Sequence, residues 1–239
     1  MTATAILAEH ELYGGMDPRN RPLYSFPEAG RATRIPASTL RAWFVGTTYG
    51  PRGDTTRFEP VIQRPDPHDV RVSFANLIEA HVLRALRTLH GVRMSSVREA
   101  VDLAQTELGI DRLLISPDLR TSAGNLLLDR YTDLLELTRS QQIAIRSILA
   151  QYLERVEYDD SQLPSHFYPF ERSPRNRDQR VILLSPFVSF GRPVLARRGI
   201  ATRAITQRLD AGEPQEVLLE DYGITSDELE EAVLFEAAA

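Results

Sequence analysis

Between Tyr24 and Trp43 the chain is constrained to fold as two short helices joined by a tight corner. Ser25 and Glu28 form an S-x-x-E capping box, in which each side chain covers a backbone N–H at a helix start. Pro27 is tolerated there because first-turn amides have no intrahelical acceptor. The helix must end within Thr33–Pro36, since a residue preceding proline avoids the α region. A second helix then runs from about Ala37 to Val45. With Pro36 at its cap, Ile35 and Leu40 stand where a hydrophobic staple fixes the entry angle. Leu40 and Trp43, three apart, face inward with Ala29, Ala32 and Ile35, while Ala37, Ser38 and Arg41 face outward.

That outward face is the one a recognition helix lays in the major groove of DNA. Arg41 can reach guanine edges bidentately, and Ser38 and Thr39 suit phosphate or base-edge contacts. The alternative is a helical corner inside a larger core, with Arg41 merely solvated. After the corner, Gly50-Pro51 and Gly53-Asp54 punctuate short β-prone pieces between Gly46 and Phe58, which predicts a hairpin. A hairpin after a recognition helix is a wing, with Arg52 and Arg57 placed to touch phosphate. From Arg19 to Arg57 seven arginines face two acids, a local balance of +5 in a chain whose net charge is −5. A local basic footprint is what phosphate neutralisation requires. The expected DNA contacts are Arg34, Ala37, Ser38, Thr39, Arg41, Arg52 and Arg57.

Tyr24–Trp43 resembles the first helix-turn-helix of MerR-type regulators, whose pattern runs roughly Y-s-x-x-E-x-A, a turn, then T-L-R-x-W. Glu28, Ala29, Ile35, Thr39, Leu40, Arg41 and Trp43 match it. Arg34 stands where that pattern usually has a turn glycine, and Pro36 where it usually has a Ser or Thr cap.

At 239 residues the chain can build two or three small domains with real cores. The absence of cysteine excludes disulfides, thiolate metal sites and cysteine-based metal sensing. Every one of the 28 basic residues is arginine, which we attribute to GC-rich coding. With no apolar run near membrane length and no basic-then-apolar leader at Thr2–Leu12, a cytoplasmic protein without membrane contact is expected. The five histidines show no H-x-x-x-H or H-E-x-x-H spacing, and His81 reads as a partly buried helical side chain. Asp66-Pro-His68-Asp69 reads as linker, and Asp159-Asp160 as a solvated pair at a helix end. No nucleotide-cradling glycine motif or nucleophile elbow is present. No catalytic residue, cofactor or metal site is expected.

The sequence predicts a mainly α protein with small β elements: a winged helix-turn-helix domain over 20–69, an α+β middle domain over 70–170, and a C-terminal three-helix module over 178–239. In the middle, an apolar stripe from Phe74 to Leu89 marks one amphipathic helix. Ser96 and Glu99 suggest a capping box for the next, and Ser140 a cap for a third running to Val156 with Ile143 and Ile145 on its apolar stripe. Leu113–Ile115, Leu126–Leu128, Leu134–Leu137 and His166–Phe170 read as small strands. Gln63–Asp69 and Glu171–Arg180 read as exposed linkers.

The C-terminal quarter splits its charge. From Glu171 to Arg208 nine arginines face two acids, whereas Asp210 to Ala239 holds ten acids and no base. Helices are expected at about Thr202–Ala211, Pro214–Glu220 and Asp227–Glu236, the last behind a Thr225/Glu228 capping box. Gly191-Arg-Pro193-Val194-Leu195, Ile205, Leu209, Gly212, Val217, Asp221-Tyr222, Ile224-Thr225 and Glu228-Leu229 are similar to a small bacterial helical domain often encoded beside a PIN-like ribonuclease toxin. Arg197-Arg198-Gly199-Ile200 replaces that domain's G-T-R-I. The whole layout resembles VapB-type antitoxins. The resemblance implies an antitoxin that binds a cognate ribonuclease toxin and represses its own operon through operator DNA. Such a toxin cuts RNA with a carboxylate cluster and a divalent ion, which Arg192, Arg197, Arg198 or Arg203 could enter. The alternative means of blocking it is an acidic helix mimicking RNA. A winged helix-turn-helix repressor is expected to be a homodimer. The competing reading is a MerR-like transcription regulator that answers a small-molecule effector without a toxin partner.

Overall fold

The computed structural model describes residues 15–49, 56–87, 94–120, 124–129 and 139–238. Helix α1 (Phe26–Thr33) starts on the expected capping box: the Ser25 N–H donates to Glu28 Oε2 at 2.8 Å, and the Glu28 N–H to Ser25 Oγ at 3.5 Å. Helix α2 (Ala37–Val45) follows, with Pro36 at its cap. The corner turns at Arg34, which adopts the left-handed conformation (φ 56°, ψ 34°). For a residue with a Cβ this costs roughly 1–2 kcal/mol. Arg34 recovers contacts by donating its guanidinium to the carbonyls of Phe170, at 3.1 Å, and Glu171. Ala29, Ala32, Ile35, Leu40 and Trp43 are all buried, as their spacing predicts.

At the end of α2, Gly46 (φ 85°) carries the chain into the hairpin, where a Cβ would lie 2.4 Å from the Phe58 carbonyl oxygen. Strands β1 (Thr47–Tyr49) and β2 (Thr56–Phe58) pair antiparallel, with Thr47 opposite Phe58 and Tyr49 opposite Thr56. The expected wing tip, including Arg52, lies outside the described residues.

Helix α3 (Phe74–Arg87) is the spine. Its apolar residues Phe74, Leu77, Ile78, Val82, Leu83 and Leu86 are buried, and so are its polar residues Asn76, Glu79 and His81. Burial on every face follows from what surrounds it: α1, helix α4 (Met94–Leu108), the 3-10 turn Leu113–Ile115 and helix α5 (Arg139–Leu153). Each buried polar group is satisfied, as burial demands. Arg112 donates to Glu79 through Nε and Nη2, both at 2.9 Å. His81 places Nε2 3.0 Å from the Tyr152 carbonyl, among the rings of Tyr152, Phe167 and Phe170. The apolar cluster runs unbroken from Tyr24 to Phe235.

Several expectations for the middle are corrected. Leu113–Ile115 is a 3-10 turn and residues 124–129 are helical, so two expected strands are helical pieces. Short apolar runs do not by themselves distinguish a buried strand from a buried helical turn. The run Leu134–Leu137 lies outside the described residues. The described part of α4 already begins at Met94, which puts Ser96 and Glu99 inside the helix instead of at its cap. Likewise Ser140 falls within α5, and Ile143 on that helix is 61% exposed. The strand expected at His166–Phe170 is β4 (Pro164–Phe167), shifted toward the amino end and paired with β3 (Val156–Tyr158).

The exposed linker expected at Glu171–Arg180 is a fastened strap. Arg155, 5% exposed, donates to Glu171 at 2.8 Å and Asp178 at 3.0 Å, with its guanidinium 4.7 Å from the Phe170 ring centroid. Ser173 and Asn176 are buried. The strap's charge concealed this, because each partner lies far away in sequence.

Beyond the strap, β5 (Ile182–Leu183) pairs with β6 (Val194–Leu195). Helices α6 (Thr202–Asp210), α7 (Gln215–Tyr222) and α8 (Ser226–Ala237) follow, close to the expected bounds, and α8 starts on the Thr225/Glu228 capping box. Glu231 on α8 is fully buried and accepts the strap N–H groups of Arg172 at 2.6 Å and Ser173 at 2.9 Å.

Two stability predictions follow from these buried groups. Glu231→Ala leaves two amides without an acceptor, at about 1–3 kcal/mol each, so the urea midpoint should fall well below that of Glu231→Gln, which keeps one acceptor oxygen. Burial lowers the His81 pKa from 6.5 to about 3, while the unfolded chain takes up the proton at the ordinary value. Between those pH values the unfolded state binds more protons, so stability declines as pH falls below 6.5. Equilibrium urea melts of His81→Leu from pH 7 to 4 should show a flatter decline.

Candidate DNA and partner interfaces

The outward side of α2 presents Ser38 and Arg41, both exposed, with Thr39 half-buried beside them. Ala37 is half-buried and packs against the core. The Arg41 guanidinium sits 5.8 Å from the Phe26 ring centroid, and Phe26 stacks at 6.2 Å on Phe44. A cation over an aromatic face is restrained without losing its charge, which suits a group that must meet a base edge or a phosphate. Ser38 and Thr39 share a groove of about 620 Å³ with Thr47 and Phe58, so α2 and the hairpin adjoin. Arg57 on β2 pairs with Glu59 at 3.1 Å, with 71% of its side chain exposed. An exposed pair of this kind contributes little and opens readily to a phosphate. Arg34 is placed elsewhere: its guanidinium is turned into the strap, where burial first and then the Arg84 charge lower its pKa.

The C-terminal arginines divide into two sets. Arg197 grips Glu228 through Nε at 3.0 Å and Nη2 at 2.9 Å. The same carboxylate accepts the Thr225 N–H at 2.8 Å. Desolvation raises the Glu228 pKa, but Arg197 and the Thr225 amide outweigh it and hold it below the ordinary value. Arg198 donates to the Gly223 carbonyl at 2.7 Å. Arg192 and Arg203 are exposed and line a second groove of about 630 Å³ with Tyr24, Glu28, Arg31 and Glu236. Several of the ten acids beyond position 209 are occupied within the fold: Glu213 and Asp221 hold Arg208, Glu228 holds Arg197, Glu231 holds the strap, and Glu236 holds Arg31 at 2.8 Å. That arrangement lowers the charge an RNA-mimicking helix could offer.

Two features lay outside the sequence reading. Arg31 on α1 and Glu236 on α8 join the two ends of the chain, a pairing no local pattern announces. Phe190 is 71% exposed at the rim of the second groove, and only its setting in Ser189-Phe190-Gly191 hinted at a turn. Among the described residues no group of three or more His, Asp or Glu side chains can hold a metal ion, and no helix is long and apolar enough to cross a membrane. Asp159 is engaged by Arg19 and by the Ser161 and Leu163 amides, so it serves as a structural acceptor.

Comparison with known proteins agrees with this two-ended arrangement. A family described as "Putative DNA-binding HTH domain" matches residues 22–101, and one described as "Protein of unknown function (DUF433)" matches residues 182–235. The chain is 29% identical over 228 residues to the "Putative antitoxin VapB45" of Mycobacterium tuberculosis, covering 89% of this chain and 92% of that protein. The X-ray crystal structure of Rv2018 from Mycobacterium tuberculosis superimposes with a TM-score of 0.64 at 26% identity, covering 89% of this chain and 98% of the other. With a match to a helix-turn-helix DNA-binding family in front and to the DUF433 family behind, the chain resembles the VapB-type antitoxins along most of its length.

Proposed function

We propose that the protein is an antitoxin that binds operator DNA through Ser38, Thr39, Arg41 and the hairpin arginines Arg52 and Arg57, and neutralises a PIN-like ribonuclease through its C-terminal arginines. The observation that carries the DNA half is Arg41: an exposed guanidinium on the outward face of a corner whose inward residues are fully packed. Rigid packing of Leu40 and Trp43 fixes the helix, so Arg41 meets the groove preorganised. For the toxin half, a guanidinium that enters a carboxylate cluster competes with the divalent ion held there and displaces it. Arg192, Arg197, Arg198 and Arg203 are the groups proposed for that role. Repression of the protein's own operon, as a homodimer on a two-fold site, belongs to the same reading.

The groove beside α2 favours a second reading, regulation by a small effector. Trp43, Phe58, Arg87 and Arg98 line it, and Arg98 Nε is buried without a hydrogen-bond partner among the described residues. Trp43 is the chain's single tryptophan, so its emission reports directly on any occupant of that groove.

Arg41→Glu should abolish retardation of a fragment carrying the protein's own promoter at moderate salt, while the thermal transition stays near wild type; intact retardation would overturn the DNA half. Arg57→Ala should weaken binding on any sequence alike and reduce the salt-dependence slope by about one. Titration of fractionated metabolites against Trp43 emission checks the second reading: a saturable shift that also alters promoter retardation supports an effector.

A further inference from the structure

We propose that the rim formed by Phe190, Arg192 and Arg203 is the surface on which an acidic protein partner docks, with the phenyl ring as the apolar anchor and the two guanidiniums flanking it. The proposal rests on the antitoxin reading and names the docking residues within it. Four observations carry it.

First, of the four C-terminal arginines considered above, Arg197 and Arg198 are engaged within the fold, whereas Arg192 and Arg203 have no carboxylate partner among the described residues. The acids that share their groove are committed elsewhere. Glu236 accepts from Arg31 and from Thr202 Oγ1 at 2.5 Å, and Glu28 is the capping carboxylate of α1. Second, Phe190 stands at 71% exposure on the same groove, more exposed than any other large apolar residue among those described. Aromatic and arginine side chains grouped around a pocket are the composition of a binding hot spot.

Third, the loop holding Phe190 is bent at a cost. Ser189 (φ 52°), Phe190 (φ 55°) and Gly191 (φ 82°) are consecutive left-handed residues, and two of the three carry a Cβ. Conformations of this kind persist only where the surroundings impose them, and they cluster at binding sites. Here the buried Tyr24 hydroxyl donates to the Gly191 carbonyl at 2.8 Å. A Cβ on Gly191 would lie 2.8 Å from that hydroxyl oxygen, so the loop is pressed against the segment leading into α1, with the phenyl ring exposed. Fourth, the charge pattern selects the partner. A polyanion laid along the groove would meet Glu28 and Glu236 as well as the arginines, whereas a folded protein can offer one carboxylate to Arg192 and Arg203 and an apolar pocket to Phe190.

The test uses the full chain and the protein encoded by its neighbouring reading frame, which the antitoxin reading expects to be a nuclease, with affinity measured by calorimetry. Phe190→Ala, Arg192→Glu and Arg203→Glu should each weaken the complex at least tenfold. Arg175→Ala, which removes an exposed arginine from the strap, should stay within threefold of wild type. All variants should retain promoter-fragment retardation, which shows that they fold. A Phe190→Ala/Arg192→Glu double variant that binds the nuclease as tightly as wild type overturns the docking surface and leaves the antitoxin reading standing. A wild-type chain that does not bind this nuclease overturns the antitoxin reading and the surface with it. Binding of a single-stranded RNA oligomer that these same substitutions abolish assigns the rim to nucleic acid and overturns the proposal.

Discussion

The carboxylate of Glu231 holds the architecture together. It is fully buried on α8, where a polar group is tolerated only if surrounding donors replace the water it has lost. The amides of Arg172 and Ser173 supply them. Those amides belong to the strap, whose other flank is fixed by Arg155 through Glu171 and Asp178. The strap in turn presents the carbonyls that receive Arg34, the residue at which the helix-turn-helix corner bends. A chain of polar contacts therefore runs from the last helix to the helix-turn-helix corner, alongside one continuous apolar core.

Seen this way, the charge split of the C-terminal quarter is an internal arrangement. Arginines before position 209 and acids after it lie on facing elements and close on one another: Arg197 with Glu228, Arg208 with Glu213 and Asp221, Arg175 with Glu230. Most of these pairs are partly exposed, and each one contributes little stability. Their effect is to fix the register of α6, α7 and α8 and to leave a small number of guanidiniums uncommitted. Under the proposed reading, selectivity for a partner follows from which cations lack a carboxylate within the fold, and less from the total charge.

The legible and illegible parts of the fold differ in the range of their contacts. The Ser25/Glu28 and Thr225/Glu228 boxes were readable because both partners lie within one turn of helix, and the structure contains both. The inward set Ala29, Ala32, Ile35, Leu40 and Trp43 was readable because helical periodicity alone sorts it. Ser96/Glu99 shows the same motif inside a helix, where the start at Met94 overrides it. Arg34 looked like a DNA contact from its place in a basic corner, yet its partners lie 136 and 137 residues away. The strap was misread for the same reason: its charged residues are satisfied by Arg155 and by α8, and nothing local encodes that. Of the proposed binding residues, Arg41 was evident from the face it occupies, while Phe190 emerges only once the loop is seen pinned to Tyr24.

Helix α1 and the end of α8 share one ion pair, Arg31 with Glu236, across 205 positions of sequence. Arg31 also offers its carbonyl to Arg172, and Glu236 also receives Thr202. Loss of the Glu236 carboxylate would strip the counter-ion from the first helix of the corner while leaving that corner's own sequence untouched. A change on the last helix would thus be felt at the helix-turn-helix corner, through a contact that neither segment's own sequence announces.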